Sequence, residues 1–294
     1  MKLVVTFIFL AISIHLHSQF SVKWEELTTP EFKEAVVKSE KVCVVPLGIV
    51  EKHGPYLPLG TDLMIVRDAV VEAAKKEYVV VFPEFYVGQI NESRHQAGTI
   101  AYSPELVIKM LDETCSEIAR NGFKKIILVN GHGGNNSMLA YYGMALLNKP
   151  KDYVVYFANG WDIYADSLQR KEVEAQFKKV PANSPGHAGV DEASQIMVIR
   201  PDLLKLNYKT QESGANLNRL SHLTLVTTGI DWYASYPNQY AGHAKYANKE
   251  LGNAMMKATI DALAKAFREV KTDTQVPALH QQFYHDAENP LQTK

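Results

Sequence analysis

The chain has 294 residues, enough for one large domain with a sizeable core. Apolar residues make up 46% and charged residues 21%, which excludes a disordered or fibrous chain. The net charge is −1 with no run of one sign, so nothing in the balance draws the protein to nucleic acid or to an anionic membrane.

The first residues differ from the rest. Met1-Lys2 is a basic start, Leu3 to Ile14 is almost wholly apolar, and His15 to Gln19 is polar with a small residue at Ser18. This layout predicts a secretory signal peptide over residues 1–18, cleaved after Ser18, and a periplasmic or secreted mature protein. The apolar run is short of the roughly 20 residues that span a bilayer, so no membrane is expected in the mature form. The two cysteines, Cys43 and Cys115, fall in apolar patterns and read as small buried residues, not as a disulfide framework.

In chain order, a helix is predicted from Trp24 to Ser39, with Thr28-Thr29-Pro30 as a start signal. An apolar strand, Val42–Leu47, leads into a loop dense in Gly and Pro up to Asp62. A helix follows from Asp62 to Glu77, with Val66, Ala69, Val70 and Ala73 on one face. Tyr78–Phe82 is a second apolar strand, and Val87 to Tyr102 is a long loop. Ser103-Pro104-Glu105 opens a helix to Asn121, closed by Gly122. Strand Lys125–Val129, a helix from Asn136 to Leu147, strand Tyr153–Ala158 and a helix from Ile163 to Lys178 come next. Val180 to Gly189 is a loop, and a short helix runs from Asp191 to Ile199. Pro201 to Gln239 has no readable period, Asn248 to Val270 is a strong final helix, and residues 273–294 read as a loose polar tail. Apolar strands alternating with amphipathic helices predict an α/β fold with a buried parallel sheet, in one domain over residues 19–272.

Ligands of such sheets gather at the strand C-termini. The loop after the first strand carries Glu51, His53 and Asp62, a carboxylate–imidazole–carboxylate set that suits Zn²⁺, Mn²⁺ or Fe²⁺. Asp62 falls at a helix N-terminus, where the dipole favours its ionised form. The loop after the third strand is Asn130-Gly131-His132-Gly133-Gly134-Asn135. It lacks the Lys and Ser/Thr of a P-loop, and its glycines do not fit the dinucleotide spacing, so phosphate is the weaker reading. His132 would share a sheet edge with Glu51, His53 and Asp62, which points to a metal. His187 and Glu192 span a loop-to-helix junction. Glu192 is there a candidate ligand or general base, with helix capping as the alternative.

Taken together, Glu51-Lys52-His53-Gly54 with Leu57-Pro58-Leu59-Gly60-Thr61-Asp62, then Asn130 to Asn135, then His187-Ala188-Gly189-Val190-Asp191-Glu192-Ala193-Ser194, resemble the creatininase (creatinine amidohydrolase) family over roughly residues 25 to 265. The resemblance implies a three-layer α/β/α sandwich with a mainly parallel sheet. It implies a site of two divalent ions, Zn²⁺ and/or Mn²⁺ with Fe²⁺ as a variant, and a small amide as substrate. It also implies Glu51, His53, Asp62 and His132 as ligands, with Asp62 bridging. Creatinine-hydrolysing members carry a carboxylate two residues after the ligand His and an aromatic residue just after it. Here those positions are Gly134 and Gly133, and in such Gly-Gly members Glu192 can supply the missing ligand. Asn183-Ser184 stand where those members place Trp-Asp, and Asn91–Thr99 matches the substrate loop only at Glu92 and Gly98-Thr99. Creatinine is therefore not the expected substrate.

The function expected is an exported metal-dependent amidohydrolase acting on a cyclic amide or formamide. His187 is the expected proton donor, Glu192 the second candidate, and a homo-oligomer is expected by analogy. The alternative is a binding protein of the same fold without turnover.

Overall fold

The computed structural model describes residues 20–159, 167–208 and 211–293. The leader expected over residues 1–18 and the start of the helix expected from Ile163 lie outside the described residues.

The N-terminal helix is interrupted. A 3-10 turn, Trp24–Glu26, is followed by a separate helix α1, Thr29–Lys38. The cause is local: Glu31 accepts from the backbone N–H of Thr28 at 2.8 Å and from its hydroxyl at 2.7 Å, so Thr28 is an extended N-cap and not an interior residue. Strand β1, Val42–Leu47, is buried along its whole length, as a strand covered on both faces must be. Helix α2, Thr61–Lys76, comes next.

The second apolar run is shorter as a strand than expected, with only Val80–Val81 forming β2. Val80 and Val81 pair with Cys43 and Val44, and Pro83, which has no N–H to give a ladder, ends the run. Helix α3 (Pro104–Arg120), strand β3 (Lys125–Asn130), helix α4 (Asn135–Ala145) and strand β4 (Val154–Asn159) follow close to expectation. Helices α5 (Ser167–Phe177) and α6 (Val190–Ile199) precede the stretch without period, which holds a short helix α7, Asp231–Ser235. Helix α8 spans Lys249–Thr272.

The segment after Asp273 is not a loose tail. Gln275–Glu288 forms a helix, α9, started by the Asp273 carboxylate accepting from Gln275 N at 2.8 Å and Val276 N at 3.2 Å. Val276, Leu279 and Phe283 were its signal, at i, i+3 and i+7. The helix lies beside β4, and Tyr284 donates to the Leu146 carbonyl at 3.0 Å.

The four strands are all parallel, in the order β2-β1-β3-β4. The connection through α2 runs one way from β1, and the connection through α3 runs back past it. Right-handed crossovers therefore put α2 on one face and α3 and α4 on the other, which makes the α/β/α sandwich. Helices α6 and α8 share the α2 face. There Gly252 lets α8 approach α6 so closely that a Cβ would meet the Ser194 carbonyl at 2.1 Å. Cys43 on β1 and Cys115 on α3 are free and buried, and burial raises both thiols well above their ordinary values. The winding reverses between β1 and β3, which are neighbours with Leu47 opposite Asn130. Open α/β sheets bind ligands at that reversal, beyond the strand C-termini.

Candidate metal centre

Each of the three sequence motifs delivers its side chains to this point. The loop after β1 brings Glu51 and His53, the first turn of α2 brings Asp62, and the loop after β3 brings His132. All four are buried. Gly131 is required at the close approach of that loop to α2, because a Cβ there would meet the Val66 side chain at 2.6 Å. Glu192, in the first turn of α6, is buried beside them.

Hydrogen bonds fix which ring nitrogens face inward. His132 Nε2 lies 3.0 Å from the Gln89 carbonyl, which can only accept, so Nε2 carries the proton. Its Nδ1 is left to face the cluster, 3.1 Å from Glu51 Oε1 and 2.9 Å from Asp62 Oδ2, where it can offer its lone pair to a cation or hold a proton. Those two oxygens are buried and have no hydrogen-bond partner. His53 repeats the arrangement in mirror. Its Nδ1 faces the Glu51 carbonyl at 3.2 Å, leaving Nε2 at 3.0 Å from Asp62 Oδ1 and 3.6 Å from Glu192 Oε2. Asp62 gives one oxygen to each of two groups of three, Glu51–Asp62–His132 and His53–Asp62–Glu192, and Glu51, His53 and His187 form a third group that does not include it. Three converging lone pairs repel unless a cation sits among them. Ligands on bonds of about 2.1 Å that meet at angles of about 90–110° are about 3.0–3.4 Å apart, so spacings of 2.9–3.6 Å are near those of a transition-metal ion's ligands.

The electrostatics agree. Burial alone would lower both imidazoles. Asp62 and Glu192 raise His53 to about 10, and Asp62 and Glu51 raise His132 well above its usual value. His53 and His132 outweigh burial at Asp62, and His187 followed by His132 and His53 does so at Glu51, so both carboxyls are held low. Burial pushes Glu192 up to about 8, against the pull of His53. Without a metal, protons occupy the places a metal would take.

His187 stands differently. Its Nε2 is 2.8 Å from the Lys52 carbonyl and 3.8 Å from Glu51 Oε2, and its ring lies 4.3 Å from that of His53. Burial, then His53, hold it below its ordinary value, so the ring is neutral at pH 7 with Nδ1 bare. A cleft of about 680 Å³ opens over the cluster, lined among others by Gln89, Glu92, Gly134, His187 and Trp232.

Three residues here were not singled out by the sequence. Ser93 donates to Glu51 Oε2 at 2.8 Å, Gln89 orients His132 through its carbonyl, and Trp232 stands edge-on to His187 at 5.7 Å. Ser93 sat in a loop already noted. A backbone carbonyl and a Trp in a stretch without period leave no sequence signal.

Residues 25–267 match the family model described as "Creatininase: Creatinine amidohydrolase". The chain belongs to the creatininase family. It is a metal-dependent amidohydrolase with candidate metal-binding residues in place. The creatinine amidohydrolase of Pseudomonas putida is 23% identical over 83% of this chain and 95% of its own length. The 3-dehydro-scyllo-inosose hydrolase of Thermotoga maritima is 24% identical over 85% of this chain and 83% of its own. A mycofactocin precursor peptide peptidase of Mycolicibacterium smegmatis is 32% identical over 55% of this chain and 59% of its own. A solved mutant creatininase of Zn-Zn type covers 87% of this chain and all of its own at TM-score 0.73 and 21% identity, and a Mn creatininase covers 86% and all of its own at the same TM-score and identity. These structures establish the creatininase fold for the present chain.

Proposed function

We propose that this creatininase-family protein hydrolyses a C–N bond of a cyclic amide or formamide, using water activated between two divalent ions. The observation that carries the reading is the split of Asp62, whose two oxygens close two separate three-acceptor groups. Glu51, Asp62 and His132 would hold one ion, and His53, Asp62 and Glu192 the other. Zn²⁺ and Mn²⁺ suit such mixed oxygen and nitrogen sets, with Fe²⁺ a third choice. Bound there, the ions would lower the pKa of a shared water and polarise the amide carbonyl.

The protein's own residues supply orientation and proton transfer. Ser93 and the Gln89, Glu51 and Lys52 carbonyls hold one carboxylate and three imidazoles in fixed poses. His187, neutral and with Nδ1 bare, is suited to take a proton from the attacking water and pass it to the leaving nitrogen. Glu192 is the less suited carrier, because its Oε2 accepts from Ala188 N at 2.7 Å and faces His53. Export through residues 1–18 and assembly into a homo-oligomer belong to the same proposal.

Metal analysis of the purified protein, together with a panel of cyclic ureas, hydantoins, lactams and formamides, tests the reading. About two divalent ions per chain, and turnover of one class that a chelator abolishes, are expected. Protein that binds no divalent ion, or that hydrolyses an amide equally well with chelator present, sinks it.

A further inference from the structure

We infer that Glu92 selects substrates carrying a positively charged nitrogen beside the scissile amide, an inference that rests on the cleft being the hydrolytic site proposed above. Glu92 lies in a 3-10 turn, Asn91–Ser93. The turn is anchored at both ends, because Ser93 holds Glu51 and Asn91 N donates to Gln89 Oε1 at 3.0 Å. One carboxylate oxygen of Glu92, Oε2, accepts from Gln89 Nε2 at 2.7 Å. The other, Oε1, lies over Gly134. A Cβ at that glycine would stand 2.8 Å from Glu92 Oε1 and 2.4 Å from His132 Nε2. Gly134 thus leaves the room that Glu92 fills.

The acids of the cleft can be assigned in turn. Glu51, Asp62 and Glu192 belong to the two acceptor groups, and Asp191 accepts from Gly186 N at 3.0 Å. Glu92 belongs to neither group, and among the described residues it makes no ion pair. It is a half-buried carboxylate with one oxygen open to the cleft. Trp232 lines the same cleft and is tied to the same turn. Its indole N–H donates to Gln239 Oε1 at 2.7 Å, and Gln239 Nε2 donates to the Glu92 carbonyl at 3.4 Å. A carboxylate and an indole in one cleft recognise a cation by charge-assisted hydrogen bonding and by the ring quadrupole. An anionic group in that place meets the repulsion of the Glu92 carboxylate.

The test compares methylguanidinium with its neutral isostere methylurea, by calorimetric titration of the metal-loaded protein. Wild type is expected to bind methylguanidinium about tenfold more tightly. Glu92→Gln, which keeps shape and removes charge, is expected to abolish the preference, while Glu92→Asp keeps part of it. Metal content is measured on the same samples. Loss of ions in wild type would count against the metal centre itself. With both ions in place, equal binding of the two probes by wild type, binding of neither, or a preference that survives Glu92→Gln overturns the inference.

Discussion

Asp62→Asn is the sharpest perturbation of this centre, because it changes charge at the one residue both acceptor groups share. Asp62 Oδ1 is 3.0 Å from His53 Nε2 and Oδ2 is 2.9 Å from His132 Nδ1. Asparagine has the same shape, so the buried packing is retained. Its NH₂ must face one of the two imidazole lone pairs and occupy that place, and its neutral oxygen is a poor ligand for the other. Each group is left with one imidazole and one carboxylate. Losing even an outer partner of a metal ligand costs roughly 10–100-fold in affinity, so loss of a direct charged ligand should cost about 10³-fold or more at both places. The assay is ions per chain by mass spectrometry after dialysis against micromolar metal. Asp62→Asn should retain almost none, whereas His132→Ala and Glu192→Gln, which touch one group each, should each retain about one. Turnover should fall by about 10³-fold or more in Asp62→Asn. An Asp62→Asn protein that keeps both ions refutes the shared-ligand argument. So does a His132→Ala protein that loses both, since the two groups would then be one site.

Three further outcomes follow from the same geometry. His187→Gln should leave the metal content unchanged and lower kcat by about 10²–10⁴-fold; an unchanged kcat moves the proton to Glu192. Ser93→Ala frees Glu51 Oε2 and should weaken the ion beside His132 by roughly 10–100-fold without weakening the one beside His53, readable from two-step metal titrations. In metal-stripped protein, His53 is raised to about 10 and Glu192 to about 8. Both raised values stabilise the fold fully below their unfolded pKa and cease to do so as pH rises through the folded value. The urea midpoint of chelated protein should therefore fall between about pH 6.5 and 10, and metal binding in that range should release protons. A midpoint that climbs with pH there contradicts the assignment of protons to the cluster.

The sequence was most readable where periodicity and chemistry coincide. Val42–Leu47 and Lys125–Val129 are buried on both faces, so an unbroken apolar run is the only pattern such strands can show. Because they are neighbours in a parallel sheet, residues following both had to meet, and Glu51, His53, Asp62 and His132 do. Tyr78–Phe82 looked equally strand-like, yet its ladder with β1 stops after two residues, its other edge meets, among the described residues, only a single bridge to Lys23, and Pro83 follows. The helix α9 was hidden by its exposure. With no buried residue, its apolar stripe is thin and its polar face dominates the composition. Trp232 and Gln239 were illegible for another reason: their places depend on hydrogen bonds to distant loops, which leave no period in the sequence.

Gly134 shows how a missing side chain redistributes a role. The resemblance assigned Glu192 the ligand position that a carboxylate at 134 would fill. In space two acids line the cleft beside it, and they face different partners. Glu192 reaches His53 at 3.6 Å from the first turn of α6, while Glu92 Oε1 stands where the side chain of residue 134 would begin. A single acid at 134 would clash with Glu92 and with the His132 ring. With glycine there, ion binding and substrate contact can rest on separate carboxylates, Glu192 for the first and Glu92 for the second. A change in substrate charge then requires substitution at Glu92 alone, leaving both acceptor groups around Asp62 intact.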